Sequence, residues 1–120
     1  MSVEQGEVYW ADLNPATGRE QRGRRPVLVV SRNEVNRLPL TVLVMAGSGA
    51  EHYATQKRFP TDIWVGAQES GLPKDTVFLG LQLRSLDRSR LTGPLGKLPA
   101  HRLPEVWDAI RYVMGDDRAG

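Results

Sequence analysis

All but one of the strongly apolar runs in this 120-residue chain are too short to be helices. That constrains the fold more than any other feature. Val27-Leu28-Val29-Val30 and Thr41-Val42-Leu43-Val44-Met45-Ala46 are rich in β-branched residues. Turn-forming residues bound them, and they read as buried strands. Glu7 to Leu13 alternates as a first strand, with Val8 and Trp10 on one face and Tyr9 and Ala11 on the other. Thr61 to Val65 and Thr76 to Leu81 read as further strands, the latter continued by residues 82–85. Leu91 to Leu98 contains two glycines and a proline and is at best a broken edge strand. The exception is 99–114, where Leu103, Val106, Trp107, Ile110, Val113 and Met114 make one helical face. Pro104 suits its first turn and Gly115 its end. Five or six short strands and one terminal helix predict a mainly β protein, a small curved barrel or sandwich with the helix packed on it. One domain over 1–120 is expected from the length.

The links between these elements carry the chemistry. Gly18-Arg19-Glu20-Gln21-Arg22-Gly23-Arg24-Arg25-Pro26 sets four arginines around one acid, directly before a buried strand, and Arg32 follows that strand. Guanidinium groups stay charged and present a rigid fork of donors, which suits a phosphate-bearing partner, above all a nucleic acid. The net charge of +2 argues weakly for that partner. The local argument is stronger: thirteen of the 16 basic residues are Arg, clustered at 19–37 and 84–90. Arg25 precedes proline, so its backbone is extended and the strand it enters holds it. Arg22 and Arg24 are expected to face solvent. Glu20 reads either as a surface ion pair with Arg19 or Arg24, or as a general base or base-edge reader.

Other candidates are weaker. Ser31 has the form of an N-cap for a single helical turn ending near Asn36. Gly47-Ser48-Gly49 reads as a flexible turn of small residues that lets something approach the backbone. His52, four residues past Ser48, lies in a second long loop over 51–59 and, as an imidazole, is a candidate for acid–base work. His101 starts the last helix, where a surface capping role is expected. Tyr9, Trp10, Trp64 and Phe78 read as core, as do Trp107 and Met114. Tyr53 and Phe59 fall in loops and are free to stack on bases.

The chain has no cysteine, which excludes disulfides, thiolate metal sites and cysteine nucleophiles. No metal-ligand spacing and no phosphate-binding glycine loop is present, so neither a metal nor another cofactor is expected. The N-terminus has neither the basic nor the apolar region of a signal peptide, and no apolar run reaches membrane-spanning length. A cytoplasmic location without a membrane partner is the expectation.

Three ordered blocks carry a family resemblance. Gly6-Glu7-Val8-Tyr9-Trp10-Ala11-Asp12-Leu13-Asn14-Pro15, then Gly18-Arg19-Glu20-Gln21 leading to Arg25-Pro26-Val27-Leu28-Val29-Val30, then Gln82-Leu83-Arg84-Ser85-Leu86-Asp87-Arg88-Ser89-Arg90-Leu91 closely resemble the MazF/PemK toxins of bacterial toxin–antitoxin systems. The resemblance runs from about Gly6 to the final helix. It implies an SH3-like, CcdB/MazF-like β-barrel that works as a homodimer. It further implies a metal-independent endoribonuclease that cuts single-stranded RNA at short sequences and leaves 2′,3′-cyclic phosphate and 5′-hydroxyl ends. The family's catalytic arginine falls on Arg25 and its loop glutamate on Glu20. Its catalytic threonine falls on Ser48, where this chain keeps the hydroxyl but flanks it with glycines. The RNA contacts that the resemblance implies fall on Arg19, Gln21, Phe59, Pro60, Gln82 and Arg84. A cognate antitoxin with an acidic, partly disordered tail is the implied protein partner. Two rival functions are a CcdB-like gyrase inhibitor without catalysis and an RNA-binding module that has lost activity.

Overall fold

The computed structural model describes residues 2–53 and 59–116. Six antiparallel strands form one sheet: β1 (Glu7–Asp12), β2 (Arg24–Val29), β3 (Thr41–Gly49), β4 (Asp62–Val65), β5 (Thr76–Asp87) and β6 (Leu91–Lys97). Their spatial order is β4-β5-β3-β2-β1-β6. The helices are α1 (Asn33–Asn36), α2 (Ala67–Ser70) and α3 (Leu103–Met114). Among the described residues no helix is long and apolar enough to cross a membrane.

The connection from β5 to β6 forces the sheet to curl. In a flat sheet the two strands would lie four strand spacings apart, about 19 Å. A single 3-10 turn at Arg88–Arg90 joins them, and a link of that length reaches at most about 14 Å. The sheet therefore wraps until Leu86 on β5 and Leu91 on β6 share one core cluster with Tyr9, Val27 and Val44. The opposite face, with Val8, Leu28, Met45 and Phe78, is closed by Val106 and Ala109 of α3. Both faces of β2 are buried from Val27 to Val29, which explains its unbroken apolar sequence.

Several boundaries differ from those the sequence predicts. β3 runs three residues beyond Ala46 through Gly47-Ser48-Gly49, which is strand and not a flexible turn. What approaches the glycine backbone is internal: a Cβ on Gly47 would lie 2.7 Å from the Phe78 ring. Strand 76–81 and its continuation are one twelve-residue strand, β5. The broken edge strand is real and pairs with β1 from Glu7↔Lys97 to Ala11↔Leu91. The 69–75 turn begins inside α2.

Ser31 does not cap α1, whose N-cap residue is Arg32 without a side-chain cap bond. Its hydroxyl donates instead to Asn36 Oδ1 at 2.5 Å and accepts from Leu43 N at 3.1 Å. It thus ties α1 to β3. His101 is exposed in a 3-10 turn that carries no side-chain cap. In the expected 51–59 loop, residues 50–52 form a 3-10 turn and 54–58 lie outside the described residues.

Candidate functional site

The register of β2 and β3 decides what meets at the site. Val27 pairs with Ala46 and Leu28 with Met45. Continued by two residues, that antiparallel register sets Arg25 opposite Ser48. Their side chains then project from one face, because residues two apart along a strand share a side. The contact is made: Arg25 Nη1 donates to Ser48 Oγ at 3.4 Å. Arg25 Nε donates to the Arg22 carbonyl at 3.0 Å, which fixes the plane of the guanidinium. Ser48 is only 5% exposed. Its hydroxyl lies at the floor of a pocket of about 170 Å³ lined also by Trp10, His52, Lys74 and Thr76.

The arginines of the loop divide by role. Arg24 lies 4.9 Å from the centre of the Trp10 ring, a cation–π contact at the pocket rim. Trp10 is therefore half-buried, where the sequence suggested core, and Trp64 is too. Arg22 is exposed and donates to the Gly18 carbonyl at 2.9 Å. Farther along the chain, Arg88 donates to the Asn36 carbonyl at 2.8 Å, and Arg90 to the Asp12 and Asn14 carbonyls. Two members of the 84–90 basic cluster thus hold backbone in place. Arg88 also borders a pocket beside α1, with Asn33 and Arg37, whereas Arg84 lines one that holds other predicted site residues.

That second pocket, about 340 Å³, gathers Glu20, Gln21, Gln82 and Arg84 beside Leu13, Ala46 and Leu81. The predicted site residues are therefore split. Arg25 and Ser48 meet in one pocket, while Glu20, Gln21, Gln82 and Arg84 meet in the next. Glu20 makes no ion pair with Arg19 or Arg24. Its Oε1 accepts from Thr17 N at 2.5 Å and closes the loop on itself. Gln82 spends both ends of its amide on that loop, accepting from Gln21 N and donating to the Arg19 carbonyl, each at 3.1 Å. Arg19 is exposed.

Phe59 and Pro60 line neither pocket. Phe59 is 64% exposed. The neighbouring Thr61 carbonyl accepts from Gly80 N at 2.8 Å, so this segment sits against β5 two residues before Gln82.

Lys74 and Thr76 were not among the sequence candidates. Thr76 reaches the pocket because it pairs with Gly49. Lys74, just before it, donates to Glu51 at 2.8 Å. That ion pair holds the exposed Glu51 carboxyl below its ordinary pKa, Lys74 being the leading cause. No local pattern marks either residue; only the register of β3 on β5 brings them in. Among the described residues no three of His, Cys, Asp or Glu gather into a metal-binding group.

Solved structures of MazF toxins share this architecture. The chain superposes on MazF from Deinococcus radiodurans with a TM-score of 0.78 at 29% identity, covering 96% of this chain and 98% of that one. It superposes on a MazE–MazF complex from the same organism with a TM-score of 0.69 at 26% identity, covering 96% and 97%. The fold class is thus that of the MazF toxins. Residues 4–114 match the family described as PemK-like, MazF-like toxins of type II toxin–antitoxin systems. Endoribonuclease EndoA of Bacillus subtilis is 36% identical over 114 residues, covering 95% of this chain and 96% of that protein. The chain belongs to this toxin family, and it is an endoribonuclease.

Proposed function

We propose that this endoribonuclease cuts single-stranded RNA at a short recognised sequence, without a metal, using the RNA's own 2′-hydroxyl as nucleophile. The observation that carries the reading is the contact between Arg25 Nη1 and Ser48 Oγ. It sets a permanent cation and a hydroxyl donor side by side in one pocket, as a scissile phosphate requires. The 2′-oxygen attacks the adjacent phosphorus and the P–O5′ bond breaks. A 2′,3′-cyclic phosphate and a 5′-hydroxyl end result. Arg25 holds the phosphate oxygens as charge builds on them, and Ser48 turns its O–H toward the same group while accepting from Arg25. Neither protein nucleophile nor metal has a step to perform.

The departing 2′-proton goes to Glu20 or to a water that Glu20 holds, and the leaving 5′-oxygen takes up a proton from solvent to become the 5′-hydroxyl. Arginine stays protonated and cannot take it. A second reading gives this role to His52, because His52 lines the Arg25–Ser48 pocket and Glu20 lines the neighbouring one. Rate against pH separates them: Glu20→Gln removes the acidic limb under the first reading, His52→Ala under the second. Arg19, Gln21, Phe59, Pro60, Gln82 and Arg84 border the path of the RNA strand. The protein acts in the cytoplasm as a homodimer, and an acidic antitoxin segment competes for the basic pockets.

One assay tests the whole reading. Purified protein is incubated with mixed single-stranded RNA in excess EDTA, and the new 5′-hydroxyl ends are sequenced. Defined cuts are expected, and none where the cut-site 2′-hydroxyl is replaced by hydrogen. Loss of activity in EDTA with recovery on adding a divalent ion would overturn the mechanism. RNA bound but left intact would favour a module without activity. Inhibition of gyrase without cleavage would favour the CcdB-like alternative, against which the kinship with EndoA already speaks.

A further inference from the structure

The carboxamide of Gln82 takes hold of the β1–β2 loop in a way that resembles a strand. Its Nε2 donates to the Arg19 carbonyl and its Oε1 accepts from Gln21 N–H. These are the two backbone groups on either side of Glu20. A neighbouring parallel strand would offer its N–H and C=O to the same pair of groups. One side chain on β5 thus supplies a single rung of sheet centred on Glu20. Asn would be too short for this reach, and Glu would keep the acceptor but lose the donor.

Among the described residues no other hydrogen bond ties residues 15–21 to anything beyond the adjacent Arg22. The remaining bonds of this segment are local: Thr17 N to Glu20 Oε1, Glu20 N to the Thr17 carbonyl, and Arg22 Nη2 to the Gly18 carbonyl. The segment is largely exposed, with Gly18 at positive φ in its middle and Gly23 at positive φ two residues beyond its end. Without an anchor, nothing in its composition holds it still. What it holds matters, because the Arg22 carbonyl next to the rung accepts the Nε of Arg25.

We propose that Gln82 is a positioning residue. It latches the β1–β2 loop to β5, and so holds Glu20 and the carbonyl brace of Arg25 in the arrangement used for cleavage. One N–H and one lone pair of its amide are committed to the loop, and its role is to hold that loop and not to choose a base. The proposal rests on the roles given above to Arg25 and Glu20, and its first readout is independent of them.

The experiment compares wild type with Gln82→Leu and Gln82→Glu. In RNA-free protein, trypsin is timed at Arg19 and Arg22, with the cuts identified by mass; the Arg25–Pro26 bond resists trypsin. Losing both bonds should speed these cuts roughly ten- to thirtyfold, with an intermediate rate for Gln82→Glu. The melting temperature should hold, because the loop lies outside the core. Single-turnover cleavage should slow roughly tenfold at every cut site alike, with base preference unchanged. Unchanged trypsin rates would overturn the latch. Faster trypsin cuts with undiminished cleavage would overturn its positioning role. A changed preference at one base would make Gln82 a reader instead. Full activity in Arg25→Ala would sink the reading of the site while leaving the trypsin result standing.

Discussion

Arg25 has five N–H donors, and the protein engages two of them, one with the Arg22 carbonyl and one with Ser48. The others face the pocket and are available to a phosphate. Arg25→Ala should therefore lower cleavage by a hundredfold or more, on the order of what one preorganised stabiliser of charge supplies, while the melting temperature stays put. Ser48→Ala should cost less, because a neutral donor stabilises charge less than a cation does. Ser48→Thr should keep activity. Single-turnover rates on one defined RNA check all three; a wild-type rate in folded Arg25→Ala would remove it from the chemistry. Arg25 was legible in the sequence because the proline after it and the apolar strand beyond it fix its backbone. Ser48 was legible only through the resemblance, since glycine on both sides suggests a turn. Lys74 and Thr76 were not legible, because their place in the pocket depends on how distant strands pair. Glu20 was picked out, but its bond to Thr17 N was not foreseen.

The end of β3 shows how tertiary packing overrides local preference. Glycine is depleted in strands, yet β3 continues through Gly47 and Gly49 because the fully buried Phe78 ring occupies the space above Gly47. The β3–β5 register shifts between Met45 and Gly47, at the same place. Gly47→Ala should cost about 1–3 kcal/mol by overpacking and slow cleavage by moving Ser48. Urea titration beside single-turnover kinetics tests both effects, and an unchanged midpoint would refute the packing argument.

Helix α3 shows a second element-scale feature that sequence reading missed. Arg102, at its start, donates to Glu105 at 2.6 and 2.9 Å, to Glu69 at 2.7 Å and to the Trp64 carbonyl at 2.7 Å. It binds α3 to α2 and β4. Arg102 holds the Glu105 carboxyl below its ordinary pKa. The Glu69 carboxyl is lowered first by the Gly66 N–H and then by Arg102. Carboxyls lowered by folding stabilise the fold above their unfolded pKa, about 4.3. That contribution is lost as pH falls through the lower folded values. Arg102→Ala should cost about 1–2 kcal/mol at neutral pH, discounted for the exposure of its partners, and should flatten the fall in stability below about pH 4.5. Melts from pH 3 to 7 test this; parallel curves would refute it.

Seen whole, the molecule leaves apolar surface in places other than those the sequence suggested. Strand residues Val27–Val30, Val42 and Val44–Ala46 are buried, so β2 and most of β3 offer nothing to a second copy. Besides Val35, Phe59 and Leu81, the exposed large apolar residues are Leu38, Leu40 and Leu43, together with Tyr112, Trp107 at 41% and Met114 at 71% exposure on α3. Trp107 and Met114 are thus rim and not core: α3 turns Val106 and Ala109 inward, and its apolar stripe is wider than the sheet it meets. This surface is what a homodimer would cover, and light scattering at micromolar concentration should give about twice 13.4 kDa. A monomeric mass would contradict the proposed dimer. An acidic antitoxin peptide should bind more weakly as salt rises and should compete with uncleavable RNA; simultaneous, independent binding would refute the shared site.

The curl that joins β5 to β6 also has a consequence in time. The pocket that joins Arg25 and Ser48 takes Trp10 from β1, Arg25 from β2, Ser48 from β3 and Leu95 from β6, so its walls come from strands at both ends of the sheet-forming sequence. β1 itself lacks one neighbour until Lys97 can pair with Glu7. A polypeptide emerging from the ribosome in order, N-terminus first, cannot assemble this pocket from any shorter length. Chain fragments that end before Leu91 should therefore cut no RNA, and cleavage by such a fragment would refute the assembly order.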